Sequence, residues 1–377
     1  MAWNKKRLTV YGLSTEGYDL ASKFSEKGFE TSIIDERLNS PMKVNRRDFS
    51  KNQTVDEFFE EETLAEMTSL QDTISRSDVL LYCPKIRCDV TEIYHQYERS
   101  LKEIIPILSK GSILIFAVPL GLDGQKESIK IVQKYTNLKE SEYGIVFLPP
   151  FFDEKINVTG TFGKVDSILE ILCEVFGRKI HESTVGEAEK IFFSKILERF
   201  SYYTSQIVTF TEAKNSEQEY PYYNNLFSYY TDLKMIYTTT GRGTQLKSFS
   251  SSLIRIVESY PKNLLNYLKG LTKENNVKPS KARIIALWSK SNYHVRPDIE
   301  KSSQDLVSLL QDIFVDVQVI SYRELVQKKL LSSTLNRNPT FIIACSDFDY
   351  KNIINQIKGK TQMITVIKAT LPPSRWS

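Results

Sequence analysis

The chain has 377 residues, enough for two or three domains with separate cores. Hydrophobic residues make up 41% and charged residues 25%, an ordinary balance for a globular protein. A net charge of +4, from 50 basic against 46 acidic side chains, argues against a nucleic-acid or anionic-membrane surface.

No apolar run approaches the roughly 18 residues of a membrane span. Only a short strand-like run follows the basic Met1–Arg7 segment, which is not the pattern of a secretory signal. Cys83, Cys88, Cys173 and Cys345 are scattered, with neither zinc-site spacing nor the density of a disulfide scaffold. A cytoplasmic protein is expected, with no metal, no membrane and no nucleic acid among its partners.

Through the first half, short apolar runs alternate with amphipathic stretches. Strands are predicted at Leu8–Tyr11, Glu30–Ile34, Val79–Cys83, Ser112–Ala117 and Gly144–Leu148. Helices are predicted at Thr15–Lys27 and Thr91–Leu108, apolar at i, i+3 and i+4. This alternation implies βαβ units and a parallel sheet. From Glu187 to about Lys214 there is no Gly and no Pro, and one long helix is expected. Further helices follow at Leu226–Tyr237 and Ser248–Lys269, with a tyrosine cluster read as helix–helix packing. Asn275–Lys281 reads as a linker. Alternation then returns, with strands at Ala282–Trp288, Val315–Ile320, Thr340–Cys345 and Met363–Ile367 and helices at Asp298–Phe314, Tyr322–Leu330 and Tyr350–Lys358. The expected fold class is α/β: two Rossmann-like parallel-sheet domains joined by a long central helix and a helical region. The expected boundaries are 1–185, 186–275 and 276–377.

The stretch from Leu8 to Glu36 has the outline of a dinucleotide cradle: strand, tight turn, helix, and a second strand ending in an acid. Gly12 makes the turn and Gly17 lets helix and strand pack closely. Ser14 replaces the glycine over which a pyrophosphate usually lies, and its hydroxyl is a potential phosphate donor. Thr15 opens a helix whose first amides are free for an anion. Asp35 stands where an acid accepts from ribose hydroxyls and repels a 2′-phosphate, which favours NAD over NADP; Arg37 nearby softens that preference. Cys83 and Cys88, flanking Pro84, are read as one buried structural thiol and one loop thiol.

Four further segments carry a resemblance. GEAEKIFFSKILERF is similar to an E-x-x-K-x-x-x-N run, with Glu187 and Lys190 matching and Ser194 in place of the asparagine. TTTGRGTQLKSFSSSL is similar to a G-x-C-F-x-K-D loop, with Lys247 at the lysine, Thr244 at the cysteine and Ser248 at the aspartate. VFLPPFFDEK is similar to N-P-E-F, with Pro150 at the acid. ALWSKSNYHVRPD is similar to K-x-x-T-x-D-x-R, keeping Lys290 and Arg296 with one residue deleted between them. Together, over nearly the whole chain, the segments resemble the UDP-glucose/GDP-mannose dehydrogenase family.

That resemblance implies NAD in the first domain, a sugar nucleotide in the last, and a homodimer formed through the central helix. It implies Lys190 as the oxyanion-stabilising residue, Ser194 at the position that holds water, and Arg242, Lys247, Lys290 and Arg296 as ligands of the nucleotide. It also implies oxidation of a C6 alcohol twice, through a thioester on a cysteine. Yet no cysteine lies between Cys173 and Cys345. A threonine hydroxyl at 244 needs an adjacent base, and none is recognisable in the local sequence. Three readings stay open: a divergent NAD-linked dehydrogenase that does not carry UDP-glucose to the acid, an inactive homologue that binds NAD or a sugar nucleotide as a sensor or interaction module, and an unrelated NAD-dependent enzyme of the wider hydroxyacid type, against which the second α/β domain at Ala282–Ile367 argues.

Overall fold

A computed structural model of the chain describes residues 6–12, 14–35, 40–44, 69–84, 93–149, 157–209, 221–289, 297–327, 339–357, 364–371 and 373–375. The chain divides into two compact units, Met1–Lys195 with Asn292–Pro297 and Ile196–Ser291 with Asp298–Ser377.

The first unit is built on eight strands: β1 (Arg7–Tyr11), β2 (Glu30–Asp35), β3 (Ser40–Val44), β4 (Val79–Tyr82), β5 (Ile113–Phe116), β6 (Gly144–Phe147), β7 (Val158–Gly163) and β8 (His181–Thr184). They lie in the order β3-β2-β1-β4-β5-β6-β7-β8. The five central strands are mutually parallel, while β3 on β2 and β7 on β6 pair antiparallel. β4, β5 and β6 are buried at every position, which is why each is an unbroken apolar run. The sheet reverses its order of growth at β1, with β2 on one side and β4 on the other. In such sheets the crevice for a ligand lies beyond the carboxyl ends of the strands at that point.

One in-register row of large rings closes the carboxyl ends of four strands: Tyr11, Tyr82, Phe116 and Phe147. Tyr11 and Tyr82 stack at 5.5 Å and 7°, and Tyr82 meets Phe116 edge-on at 5.7 Å. Tyr97, from helix Ile93–Ile104, packs on both Tyr82 and Phe116 and donates to the Ser128 hydroxyl at 2.6 Å.

Sequence reading and structure part company in the second half of this unit. Helices Gly124–Tyr135 and Asp166–Phe176 and strands β7 and β8 were not anticipated. β8 reads His-Glu-Ser-Thr, with no apolar side chain, and takes its place through the backbone ladder to β7, with the Thr161 hydroxyl donating to Glu182 Oε1 at 2.6 Å. The long helix runs Val185–Val208, 24 residues, starting directly from β8. Its first turn is closed by a reciprocal box. Thr184 Oγ1 accepts from the Glu187 amide at 3.3 Å, and Glu187 Oε2 accepts from the Thr184 amide at 3.1 Å.

The second unit has β9 (Arg283–Leu287), β10 (Asp316–Ile320), β11 (Thr340–Ala344), β12 (Ile364–Lys368) and β13 (Ser374–Arg375) in the order β10-β9-β11-β12-β13, parallel except for β13. Its core gathers Ile285, Leu287, Leu325, Ile342, Ile353 and Val366. The helix expected over 226–237 is two helices, Tyr223–Phe227 and Tyr230–Thr239. The next helix is longer than its sequence pattern, Gln245–Glu274, and runs through Pro261, which has no amide to donate one turn back. Within the tyrosine cluster Tyr223 is packing, while Tyr237 is exposed and Tyr220 lies outside the described residues: Tyr223 stacks on Phe227, meets Trp288 edge-on and lies against Tyr260, whose hydroxyl donates to the Thr370 carbonyl at 2.6 Å. No helix among the described residues is long and apolar enough to cross a membrane.

Candidate functional site

The turn after β1 continues the sheet before it turns away. The Gly12 amide donates to the Ile34 carbonyl at 2.9 Å, and the Cys83 amide donates to the Tyr11 carbonyl at 2.8 Å. Gly12 then takes φ 94, a conformation that only glycine adopts without strain. At Ser14 the amide reaches the Cys83 carbonyl at 3.4 Å, so the turn is tied to the end of β4. Helix Thr15–Glu26 starts here.

Ser14 is its N-cap. The Ser14 hydroxyl accepts the Gly17 amide at 3.1 Å, and the residue is 5% exposed. Gly17 faces the strands with no room to spare: a Cβ there would lie 2.8 Å from the Gly12 carbonyl oxygen and 2.9 Å from Cys83 Cβ. Cys83 is therefore the floor on which the cradle helix sits, buried and free of any disulfide. Cys88 lies outside the described residues. Asp35 is the last residue of β2, beside β1 at the same carboxyl edge. Arg37 lies outside the described residues.

Gly12, Ser14, Thr15 and Gly17 thus form one turn. Glycine at the sharp bend and a helix N-terminus suit an anion, and the acid at the end of the neighbouring strand suits a hydroxyl donor. The Gly17 amide is already held by Ser14, which leaves the cradle one donor fewer. A dinucleotide fits this turn by the packing glycine and the bend.

The remaining candidates fall in separate places. Lys190 and Ser194 lie exposed on one face of the long helix, in line with Glu187. Glu187 is held in its ionised form, first by its bonds to Thr184. In the second unit, Thr244 caps helix Gln245–Glu274: its hydroxyl accepts the Lys247 amide at 3.3 Å and donates to the Gly241 carbonyl at 2.9 Å. Gly243, just before it, has φ 77. Lys247 Nζ donates to the Thr240 carbonyl at 3.3 Å and lies 4.7 Å from the centre of the Tyr237 ring. Arg242 is exposed in the same turn. Pro150, Lys290 and Arg296 lie outside the described residues.

The carboxyl edge of the second sheet is covered by its own chain. The Tyr223 amide donates to the Ala369 carbonyl at 2.8 Å and the Asn224 amide to the Cys345 carbonyl at 3.1 Å, just beyond β12 and β11. Burial drives Tyr223, Tyr260 and Cys345 far up from their ordinary ranges, so all three stay protonated. Beside them Asp349 is buried. It accepts from the Ser346 hydroxyl at 2.6 Å and from the Ser289 amide at 3.3 Å, yet burial outweighs these bonds and raises it.

Two acids of consequence escaped the sequence reading. Asp349 was legible as the fourth residue of a Ser-x-x-Asp box. Glu189 is 2% exposed and accepts the Gln125 amide at 3.0 Å. Nothing local in the sequence signals a bond that spans 64 residues.

No family model matches the sequence, and no curated protein matches it. Solved structures do. The chain is similar to a UDP-glucose dehydrogenase from the hyperthermophilic archaeon Pyrobaculum islandicum, at 12% identity over 98% of this chain and 95% of that one, with a TM-score of 0.63. It is similar to a UDP-D-ManNAc dehydrogenase from Pyrococcus horikoshii, at 13% identity over 90% and 89%, with a TM-score of 0.60. It is also similar to an NDP-N-acetyl-D-galactosaminuronic acid dehydrogenase from Methanosarcina mazei Go1, at 11% identity over 95% and 90%, with a TM-score of 0.53. The fold is that of these nucleotide-sugar dehydrogenases.

Proposed function

We propose that the chain is a divergent nucleotide-sugar dehydrogenase-like protein that binds NAD(H) at the Gly12–Gly17 turn and a nucleotide sugar, and that does not carry UDP-glucose to the acid. The observation that carries this reading is Thr244. By the sequence resemblance it takes the place of the family's nucleophilic cysteine, and both hydrogen-bonding roles of its hydroxyl serve the helix start. A hydroxyl so engaged, with no adjacent base among its bonded partners, does not become a nucleophile near neutral pH. NAD, when bound, supplies the hydride acceptor. Asp35 then accepts from the ribose hydroxyls and the helix opened by Thr15 faces the pyrophosphate. Lys190 and Ser194 polarise an alcohol on the exposed face of the long helix.

The same engagement of Thr244 favours a second reading, a non-catalytic homologue that retains ligand binding as a sensor or interaction module. Exposed rings and aliphatic groups on the helical region, Tyr202, Val208, Tyr237 and Phe249, support a homodimer through 186–275, which light scattering at micromolar concentration tests. The two functional readings separate in one experiment. Calorimetry with NAD(H), NADP(H) and UDP-, GDP- and dTDP-sugars is paired with an assay of NADH formation. Binding with turnover supports the dehydrogenase, and binding without turnover the module. Binding of neither ligand class overturns both.

A further inference from the structure

Helix Gly124–Tyr135 begins without a cap of its own. Asp123, at its N-cap position, has φ 60 and makes no capping bond, its carboxylate being paired with Lys126 instead. The cap comes from the long helix. Glu189 Oε1 accepts the Gln125 amide at 3.0 Å, so a carboxyl from a distant segment is seated in the helix start.

The seat is buried and tightly built. Glu189 is 2% and Gln125 1% exposed. Gln125 Nε2 donates to the Val118 carbonyl at 2.7 Å, while its Oε1 is buried with no partner among the described residues. Alongside, β7 meets the first turn of the long helix so closely that a Cβ on Gly160 would lie 2.4 Å from Val185 Cα and 3.2 Å from Ala188 Cβ. Val185, Ala188, Glu189, Phe192 and Phe193 form one buried stripe, and Glu189 is its only ionisable member.

We propose that Glu189 is a proton-operated latch between the long helix and the sheet of the first unit: neutral, it is seated in the start of helix Gly124–Tyr135, and its ionisation loosens that seat together with the turns that present Lys190 and Ser194. A neutral carboxyl brings a donor beside Gln125, whose own Oε1 has none among the described residues; the carboxylate brings only acceptors and a buried charge that the Gln125 and Asp123 amides and Lys126 offset only in part. Burial is the largest influence on Glu189 and raises it to about 7; the Gln125 amide opposes, Asp123 raises, and the Asp123 amide and Lys126 lower it. These are the charged groups that act on it from the facing loop and helix. Glu187 and Lys190 on its own helix are exposed.

The direction follows from linkage. An open or unfolded state ionises at the ordinary value of 4.5, the seated state at about 7. The latch is strongest below that window, and opening becomes favoured about tenfold per pH unit as pH rises through it.

The test compares wild type with Glu189→Gln, which keeps an acceptor for the Gln125 amide but cannot ionise. Amide exchange over 118–135 and 185–195, corrected for the intrinsic rate, is followed from about pH 5 to pH 8, with urea midpoints alongside. Protection of both segments in the wild type is expected to fall on the order of a hundredfold, levelling above about pH 7, while the variant stays flat. Parallel profiles for the two proteins overturn the proposal. Should the variant not fold, the carboxyl carbons of glutamate-labelled wild type decide. A buried carboxyl titrating near 7 supports the latch, and the absence of any titrating above about 5.5 overturns it.

Discussion

The Ser14 hydroxyl accepts the Gly17 amide at 3.1 Å, and Gly17 in turn has no room for a side chain against Gly12 and Cys83. The intruding serine of the cradle is thus its helix cap. Replacing Ser14 by Ala is expected to lower stability by about 1 kcal/mol, and by Gly a few tenths, read as urea midpoints. Ser14→Gly also releases the Gly17 amide to an anion and is expected to tighten NAD(H) binding. An unchanged affinity would show the loop adapted around its serine. Gly17→Ala is the harsher change, about 1–3 kcal/mol, because backbone and Cys83 both have to move.

Asp35 ends β2 beside the turn. With a dinucleotide bound, a 2′-phosphate there brings like charges together, and NAD(H) is expected to bind on the order of tenfold or more tightly than NADP(H). Calorimetry measures both. Asp35→Asn should narrow the gap, and equal affinities in the wild type would refute the role given to Asp35.

Thr244→Ala removes a cap and is expected to lower stability by about 1 kcal/mol, with Thr244→Ser restoring it. Thr244→Cys is expected to yield no second hydride transfer from UDP-glucose. On the proposed alignment Pro150 and Ser194 also replace the acid and asparagine of the resembling family, and groups that act as a unit do not recover singly. The measurement is NADH released per UDP-glucose. Two per substrate from the wild type would sink this reading.

Asp349 supplies a pH signature in the second unit. Burial raises it when folded, so the folded state holds its proton to higher pH than the unfolded chain does. Its contribution is therefore most favourable in acid and is lost as pH rises through the window above the ordinary carboxylate range. Relative to wild type, Asp349→Asn should gain stability as pH is raised from about 4 to about 8, measured as the difference in urea midpoint. A difference that does not move with pH would show that the buried bonds to Ser346 and Ser289 keep Asp349 ionised.

How much of this was legible follows from which signals are local. β1, β4, β5 and β6 are short apolar runs because both of their faces are covered, and each was visible as such. β8 was not, since His-Glu-Ser-Thr has no hydrophobic signal and owes its strand to a neighbour. Asp166–Phe176 carries a plain helical period, with Ile168, Ile171, Leu172 and Val175 buried and Ser167, Glu170 and Glu174 exposed, so it was legible and was passed over. Gly12, Ser14 and Gly17 announced the cradle through spacing, whereas the capping roles of Ser14 and Thr244 appear only once the helix ends are placed. Gln125 and Glu189 look like surface residues of two unrelated segments until the sheet brings those segments together.

The seating of Val185 and Ala188 on Gly160 also bears on how the polypeptide is made. During translation the last strand of the first sheet is complete once Thr184 has emerged, but the groove beside Gly160 and the helix start at Gln125 are still waiting for residues not yet synthesised. For a few more codons, until about the end of the stripe at Phe193, the nascent domain carries an open apolar slot and a bare helix end. A fragment cut after the last strand keeps that unfinished state permanently, and its instability would say nothing about the intact sheet. Any truncation meant to isolate the first unit has to carry the first turns of the long helix with it.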